Sequence, residues 1–415
     1  MQSKNYVVIV NSNILIRFME NNKYNKITNI VLIILILFTG AITAFSMTVV
    51  ATGNFKLDID CLLALQSFRN KTNGFFDTFF ASITEFGTSY VTGCICIIVF
   101  YGIDSRTGLF LFQTSAFGRL VNGTLKLTAC IYRPWIRSPK IKPLPSALPG
   151  ATGYSFPSGH STNASTVFLG IAYSSFAKKK QNIVYKLLFV IGIAMALLVM
   201  FSRIYAGVHT PQDILVGCIS SVAVIIIVHK VNCFLGEDIT QNYKNSSISY
   251  LANSKNNHNN IRERLRLHRR SLIVLVVSVI FTVLCVIYFE NKSYPLTYVN
   301  GKLLVNPEKM VIDSYSGLGA FLAIALTTFL TFLTKLNITK TSKISIKIIT
   351  FRIVVTISAI AIFTYMSKNL PSDLSRIMQK KTAYLLSNFT TYFSITFIFP
   401  YLINILGKIK SVNNE

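Results

Sequence analysis

The chain has 415 residues, 52% hydrophobic and only 13% charged, with a mean hydropathy of +0.51 and a formal charge of +26. Soluble domains carry about 25% charged residues, so this composition excludes an ordinary soluble fold and points to a membrane protein. The positive charge is no nucleic-acid footprint: the basic residues sit in short segments between apolar runs, as cytoplasmic loops do, where they attract anionic lipid headgroups.

Residues 1–27 read as a cytoplasmic N-terminal segment. Val7 to Val10 is too short an apolar core for a signal peptide, and no small-residue cleavage site follows. Tyr6 to Phe18 reads as an interfacial helix. A spanning helix needs about 20 apolar residues. The runs that approach this are 28–51, 88–103, 107–125, 158–177, 183–201, 211–229, 271–289, 314–334, 347–366 and 385–406, the second and third being short or interrupted. The expected fold class is therefore all-α, a polytopic bundle with a catalytic core over 28–230 and four further helices over 271–415. Residues 53–87 read as an amphipathic outer segment, with Leu57, Leu62, Leu63, Phe75, Phe76, Phe79 and Phe80 available for one face. Residues 231–270 are polar, with Asn253, Asn256, Asn257, Asn259 and Asn260, and then strongly basic, so they read as a cytoplasmic linker between two modules. No internal repeat relates the halves.

Four basic clusters set the orientation: Lys4 to Lys26, Lys178 to Lys180, Arg262 to Arg270, and Lys335 to Lys347. With alternating spans all four lie on one side, which is then cytoplasmic. The seven cysteines are scattered and show neither a disulfide framework nor zinc-ligand spacing.

Three stretches carry chemistry, and all fall on the opposite, extracytoplasmic side. In Pro157-Ser158-Gly159-His160 a loop enters a span, with Pro157 suited to the first helical turn. The amides of Ser158, Gly159 and His160 would then be open donors at a positive helix end, a geometry that binds phosphate. His160 can protonate a leaving oxygen from there. In Ser202-Arg203-x5-His209-x3-Asp213 one span ends and the next begins at Pro211. Asp213 can accept from one ring nitrogen of His209, which leaves the other basic and aimed outward as a nucleophile. Asp213 is the only carboxylate between Asp104 and Glu237, whereas magnesium sites need clustered carboxylates. Lys126, Arg133 and Arg203 are cations at outer ends of spans, where lone cations snorkel; three of them beside two histidines suit phosphate. The loop 135–156, with Trp135, Arg137, Lys140, Lys142 and four prolines, reads as a lip at the membrane surface. Arg119 lies two turns before Lys126 and is not placed in the site; His229, His258 and His268 lie near or in the linker and are assigned no catalysis.

The blocks Lys126-x6-Arg133-Pro134, Pro157-Ser-Gly-His160 and Ser202-Arg203-x5-His209-x3-Asp213 resemble the type 2 phosphatidic acid phosphatase superfamily, without departure from its pattern and over roughly residues 28–230. The resemblance implies a six-helix core, a histidine nucleophile at His209 supported by Asp213, and a general acid at His160. It also implies phosphate ligands at Lys126, Arg133, Ser158, Gly159 and Arg203, and action on lipid phosphates or diphosphates without a metal or other cofactor. Undecaprenyl diphosphate, phosphatidylglycerophosphate and phosphatidic acid are the substrates in that range. A composition rich in Lys, Asn and Ile fits a bacterial chain and favours the first two. The expected partners are the bilayer and its lipid phosphate, with no nucleic acid. Two rivals are a phosphotransferase using the same phosphohistidine and a lipid transporter. Against the second, 271–415 shows few intramembrane charges and no paired broken helices.

Overall fold

A computed structural model of the protein describes residues 29–48, 56–177, 183–237, 258–299, 302–334 and 346–412. The helix expected over Tyr6 to Phe18 and the middle of the linker lie outside them. A run of helices forms the described chain: α1 Asn29–Thr48, α2 Lys56–Lys71, α3 Asp77–Glu85, α4 Ser89–Ile97 with a π-helical continuation to Ile103, α5 Ser105–Ala129 and the single turn α6 Pro134–Arg137. Then come α7 Gly159–Ala164, which passes through a π segment into α8 Gly170–Ala177, α9 Ile183–Tyr205 and α10 Pro211–Phe234. The second half adds α11 His258–Asn291, α12 Pro307–Thr334, α13 Ile346–Leu374, and α14 Lys380–Phe393, which continues through a π segment into α15 Phe399–Val412. One feature was not expected, a two-residue hairpin ladder pairing Tyr298 with Leu303 and Val299 with Lys302. The basic stretch before residue 271 belongs to α11 rather than to an irregular linker.

All ten expected spans are helical. Six (α1, α9, α10, α11, α12 and α13) are long and apolar enough to cross a membrane by length and composition, and α3 with α4 makes a further candidate bent by 56°. Helices α5, α7–α8 and α14–α15 do not stand out on that measure. Helix α5 buries Thr107, Thr114, Ser115 and Asn122 beside its phenylalanines and carries Arg106, Arg119 and Lys126. The apolar span of α1, by contrast, is only 11% buried and presents Ile33, Ile34, Leu37 and Phe45 outward.

The outer segment folds as α2 and α3 over the site. Leu62 packs with Ile141 and Ile204, and Phe76 and Phe80 pack with Leu144, Tyr205 and Val208, while Leu57, Phe75 and Phe79 stay exposed. Arg69 fastens α2 to this layer by donating to the carbonyls of Tyr205 (3.0 Å) and Lys142 (2.6 Å).

The linker divides the chain in sequence but not in packing. The largest core cluster joins Phe100, Phe110, Phe112 and Val224 to Ala320, Ile324, Phe363 and Tyr392. A second joins Leu120, Leu127 and Tyr154 to Phe289, Met310, Val311 and Leu318, and a third joins Leu235 to Leu267 and Phe332. The two halves therefore share their cores. Their seam is the α5–α12 contact, where small residues let backbones approach: a Cβ on Gly123 would stand 2.8 Å from Ser314 Oγ. Arg119 crosses the same seam, donating to Ser316 Oγ (2.7 Å) and Tyr392 Oη (3.0 Å). Its charge serves the joint between the halves. Gly123→Leu should force α5 from α12 and cost roughly 1–3 kcal/mol, the usual penalty of overpacking. Gly40→Leu, where nothing lies within 4 Å, should leave the thermal midpoint in detergent near wild type. Equal midpoints for the two variants would contradict the seam.

Candidate active site

Helix α9 ends in a Schellman turn. The Val208 amide donates to Arg203 O (3.2 Å) and the Gly207 amide to Ile204 O (2.9 Å), with Gly207 at φ +71°. A side chain is disfavoured in that left-handed region; glycine adopts it freely. The turn leaves Arg203 in the last turn of α9 and His209 just beyond it, close enough that the Arg203 charge acts on the imidazole.

The next element starts at once. Thr210 caps α10, Pro211 occupies the first turn and Asp213 completes a capping box: its Oδ2 accepts from the Thr210 amide (2.9 Å), and Thr210 Oγ1 accepts from the Asp213 amide (3.4 Å). The same Oδ2 accepts from His209 Nδ1 at 3.1 Å and from the hydroxyl of Ser155. Asp213 thus both caps α10 and holds the histidine. A carboxylate on Nδ1 fixes the tautomer, so Nε2 carries the lone pair. That nitrogen is not free, as the sequence suggested: Arg133 Nη1 lies 2.7 Å from it and also donates to Val208 O (3.0 Å). Arg133 Nε donates to Gly153 O (2.9 Å), and the guanidinium lies over the Trp135 ring at 5.8 Å.

The tetrapeptide differs from expectation in two details. Pro157 precedes the helix, which begins at Gly159 with Ser158 as N-cap. The Ser158 amide is not an open donor, because it bonds the carbonyl of Asp213 (3.0 Å) and so ties this helix start to that of α10. Its hydroxyl accepts from Ser161 N (3.3 Å). The amides of Gly159 and His160 remain as first-turn donors without a helical partner. Lys126 Nζ is a strut: it donates to the carbonyls of Tyr154 (2.9 Å) and Pro157 (2.8 Å).

Arg203 is 1% exposed, and Nη1 donates to Thr84 Oγ1 (2.6 Å), but Nε and Nη2 have no hydrogen-bond partner among the described residues. Buried donors are almost always paired, with protein or with ordered water, so the fork can take a water or an anion. His160 is half-buried, and Arg203, Arg133 and Lys126 are its charged neighbours. Of the eight expected site residues, the structure joins His209, Asp213 and Arg133 directly and Ser158 through the Asp213 backbone. Lys126 joins through the 154–157 carbonyls, and His160, Gly159 and Arg203 stand around them without bonding the imidazole.

Burial, and next the Arg133 charge, hold the His209 pKa well below 6.5 against the opposing pull of Asp213. Burial brings Arg133 down to about 10, still charged at neutral pH. Farther out, Asp58 on α2 is raised to about 6, by burial first and then by Asp213, with Arg137 opposing.

Sequence reasoning missed Ser155, Gly153 and Thr84. Ser155 lies two residues before Pro157, but loop hydroxyls are too common to single out. Gly153 acts through its carbonyl. Thr84 lies 119 residues from Arg203, with no local signal.

A membrane bundle holding a buried histidine between a carboxylate and an arginine is the class that fold and site define. Residues 107–234 match the family model described as the PAP2 superfamily. It is 34% identical over 143 residues to phosphatidylglycerophosphatase B of Bacillus subtilis (strain 168), a match covering 32% of this chain and 64% of that protein. It is 38% identical over 69 residues to an undecaprenyl-diphosphatase of Sulfolobus acidocaldarius, covering 17% of this chain and 29% of that one. The matched stretch thus spans less than two thirds of either relative. A crystal structure described as the first transmembrane PAP2 type phosphatidylglycerolphosphate phosphatase from Bacillus subtilis is 24% identical, with a TM-score of 0.41, and the likeness covers 48% of this chain and 95% of that one.

Because its folded pKa is depressed, His209 should stay neutral through pH 6.5 and take up a proton only at lower pH. Imidazole resonances, assigned by difference against His209→Ala, should show it titrating well below 6.5. A His209 midpoint above 6.5 would contradict this electrostatic description. The sign for stability follows: the unfolded chain binds this proton more readily, so stability contributed here is present above about pH 6.5 and declines as pH falls below it.

Proposed function

We propose that this protein is a lipid phosphatase that hydrolyses a lipid phosphate or diphosphate through a phosphohistidine at His209. The observation that carries the reading is the buried His209–Asp213 pair facing two buried arginines, one of which has two unpaired guanidinium nitrogens. Lys126, Arg133 and Arg203 against Asp213 leave an excess of two positive charges, which a phosphate dianion neutralises. In support, the two relatives are named phosphatidylglycerophosphatase B and undecaprenyl-diphosphatase.

The mechanism follows from the contacts. An entering phosphate oxygen takes the Arg133 Nη1 donor from His209, which uncovers the Nε2 lone pair. Nε2 attacks phosphorus in line, the P–N bond forms and the bond to the leaving oxygen breaks. His160, protonated beside the bound dianion, gives its proton to that oxygen. Asp213 stabilises the charge that forms on the imidazole. The equatorial oxygens meet Arg133, the Arg203 fork and the amides of Gly159 and His160, fixed donors where charge spreads in the transition state. Water, deprotonated by His160, then breaks the P–N bond and releases phosphate. We assign no metal to this cycle. In support, the described residues contain no group of three or more His, Cys, Asp or Glu side chains able to hold one.

The test is phosphate release by the purified protein in detergent with excess chelator, against phosphatidylglycerophosphate, undecaprenyl diphosphate and phosphatidic acid. Asp213→Asn should reduce kcat by about 10⁴, as loss of the correct tautomer does in the serine-protease triad. Chelator-sensitive activity restored by magnesium, or an Asp213→Asn enzyme within tenfold of wild type (about 1.4 kcal/mol), would defeat the mechanism. Transfer of the phosphoryl group to another lipid without phosphate release would replace the hydrolase by the phosphotransferase.

The site is proposed to face the extracytoplasmic side, because the four basic clusters lie at the opposite ends of the spans. Ser146 is exposed on the loop above the site. In a background without the seven native cysteines, Ser146→Cys should react with a membrane-impermeant thiol reagent on intact cells. Reaction only after permeabilisation would invert the topology.

A further inference from the structure

The loop 152–157 supplies much of what the site rests on. Gly153 O receives Arg133 Nε, Tyr154 O and Pro157 O receive Lys126 Nζ, and Ser155 bonds Asp213. The outer side of this loop is held by the C-terminal half. The Tyr154 side chain is 0% exposed in a cluster with Phe289, Val305, Met310, Val311 and Leu318. Lys309 Nζ donates to Thr152 Oγ1 at 2.9 Å. The tightest contact is at Gly153, where a Cβ would fall 2.0 Å from Met310 Sδ. A side chain at Gly153 would require the Met310 thioether to move.

We propose that α12 completes the catalytic centre, with Met310 as a positioning residue that presses the Gly153 carbonyl against Arg133 and so fixes the guanidinium at His209 Nε2. The inference rests on the phosphohistidine reading of the site. Its physical basis is that a carbonyl held from behind presents a fixed acceptor. If the thioether is removed, the loop can move into the vacated volume and carry its carbonyl away from Arg133. A displacement on the order of 1 Å at such a contact can cost 10²-fold in rate. The C-terminal helices would then be part of the enzyme's working centre while contributing no group that touches substrate.

The experiment uses the full chain. Met310→Ala should lower kcat by about 10–100-fold on a short-chain lipid phosphate, and Met310→Leu, a near volume-conserving swap, should stay within about threefold. Displacing Arg133 removes one of the three influences that depress His209, beside burial and Arg203, so the His209 midpoint should move up towards 6.5 in Met310→Ala and not in Met310→Leu. A cavity that merely destabilised the fold would lower the thermal midpoint without moving that titration. Gly153→Ala should displace the Met310 thioether and lower activity, and Met310→Ala in the same chain should recover part of that activity, because it makes room for the new methyl. If Met310→Ala does not fold, Met310→Val serves as the milder truncation and should shift the His209 titration in the same direction. A folded Met310 variant with wild-type kcat and an unmoved His209 titration overturns the proposal. So does a Gly153→Ala, Met310→Ala double variant no better than Gly153→Ala. Failure of the underlying reading would show differently, as full activity in His209→Ala.

Discussion

One carboxylate oxygen organises the site. Asp213 Oδ2 accepts from His209 Nδ1, Ser155 and the Thr210 amide at once, and the carbonyl of the same residue accepts from Ser158 N. These bonds tie together the start of α10, the loop carrying the imidazole, the loop 152–157 and the start of α7. A buried carboxylate is costly unless its lone pairs are used, and here three donors converge on one oxygen. The orientation of His209 and the placement of the first-turn amides of Gly159 and His160 both depend on it. Neutralising Asp213 would therefore disturb tautomer, loop and helix start together.

Around that carboxylate the protein accumulates positive charge. Arg133 is well bonded, to Gly153, Val208 and the imidazole, whereas Arg203 holds Thr84 with one nitrogen and has two without partners among the described residues. The difference suggests a division of labour, in which Arg133 moves its bond from imidazole to phosphate and Arg203 waits for an anion. Both are buried, where fixed donors act on developing charge far more strongly than in water. Lys126 contributes its charge from a fixed position, since its ammonium is spent on the carbonyls that shape the loop.

Much of this was legible in the chain. Ten apolar runs gave ten helices, and the spacing from Arg203 to Asp213 has a local cause: Gly207 at a Schellman turn, then Thr210 and Pro211 opening the next helix. Such signals are encoded within a few residues of where they act. What was not legible depends on contacts between distant segments. Ser155 reaching Asp213 and Thr84 reaching Arg203 have no mark in their own neighbourhoods. The open Ser158 amide was expected from helix geometry alone, and the Asp213 carbonyl that occupies it comes from another helix. The C-terminal half, which carries no motif and follows a polar stretch, gave no sign that its Met310 and Leu318 would share a core with Leu120 and Tyr154.

The central claim is that phosphate passes through a covalent bond to His209 Nε2. Rapid acid- and base-quenching of the wild-type protein with a radiolabelled lipid phosphate tests it most directly, followed by peptide mapping. The account predicts label that is labile in acid and stable in base, on the peptide containing His209, appearing at least as fast as turnover. Turnover with no labelled protein at any quench time, or label on His160 instead, would contradict it.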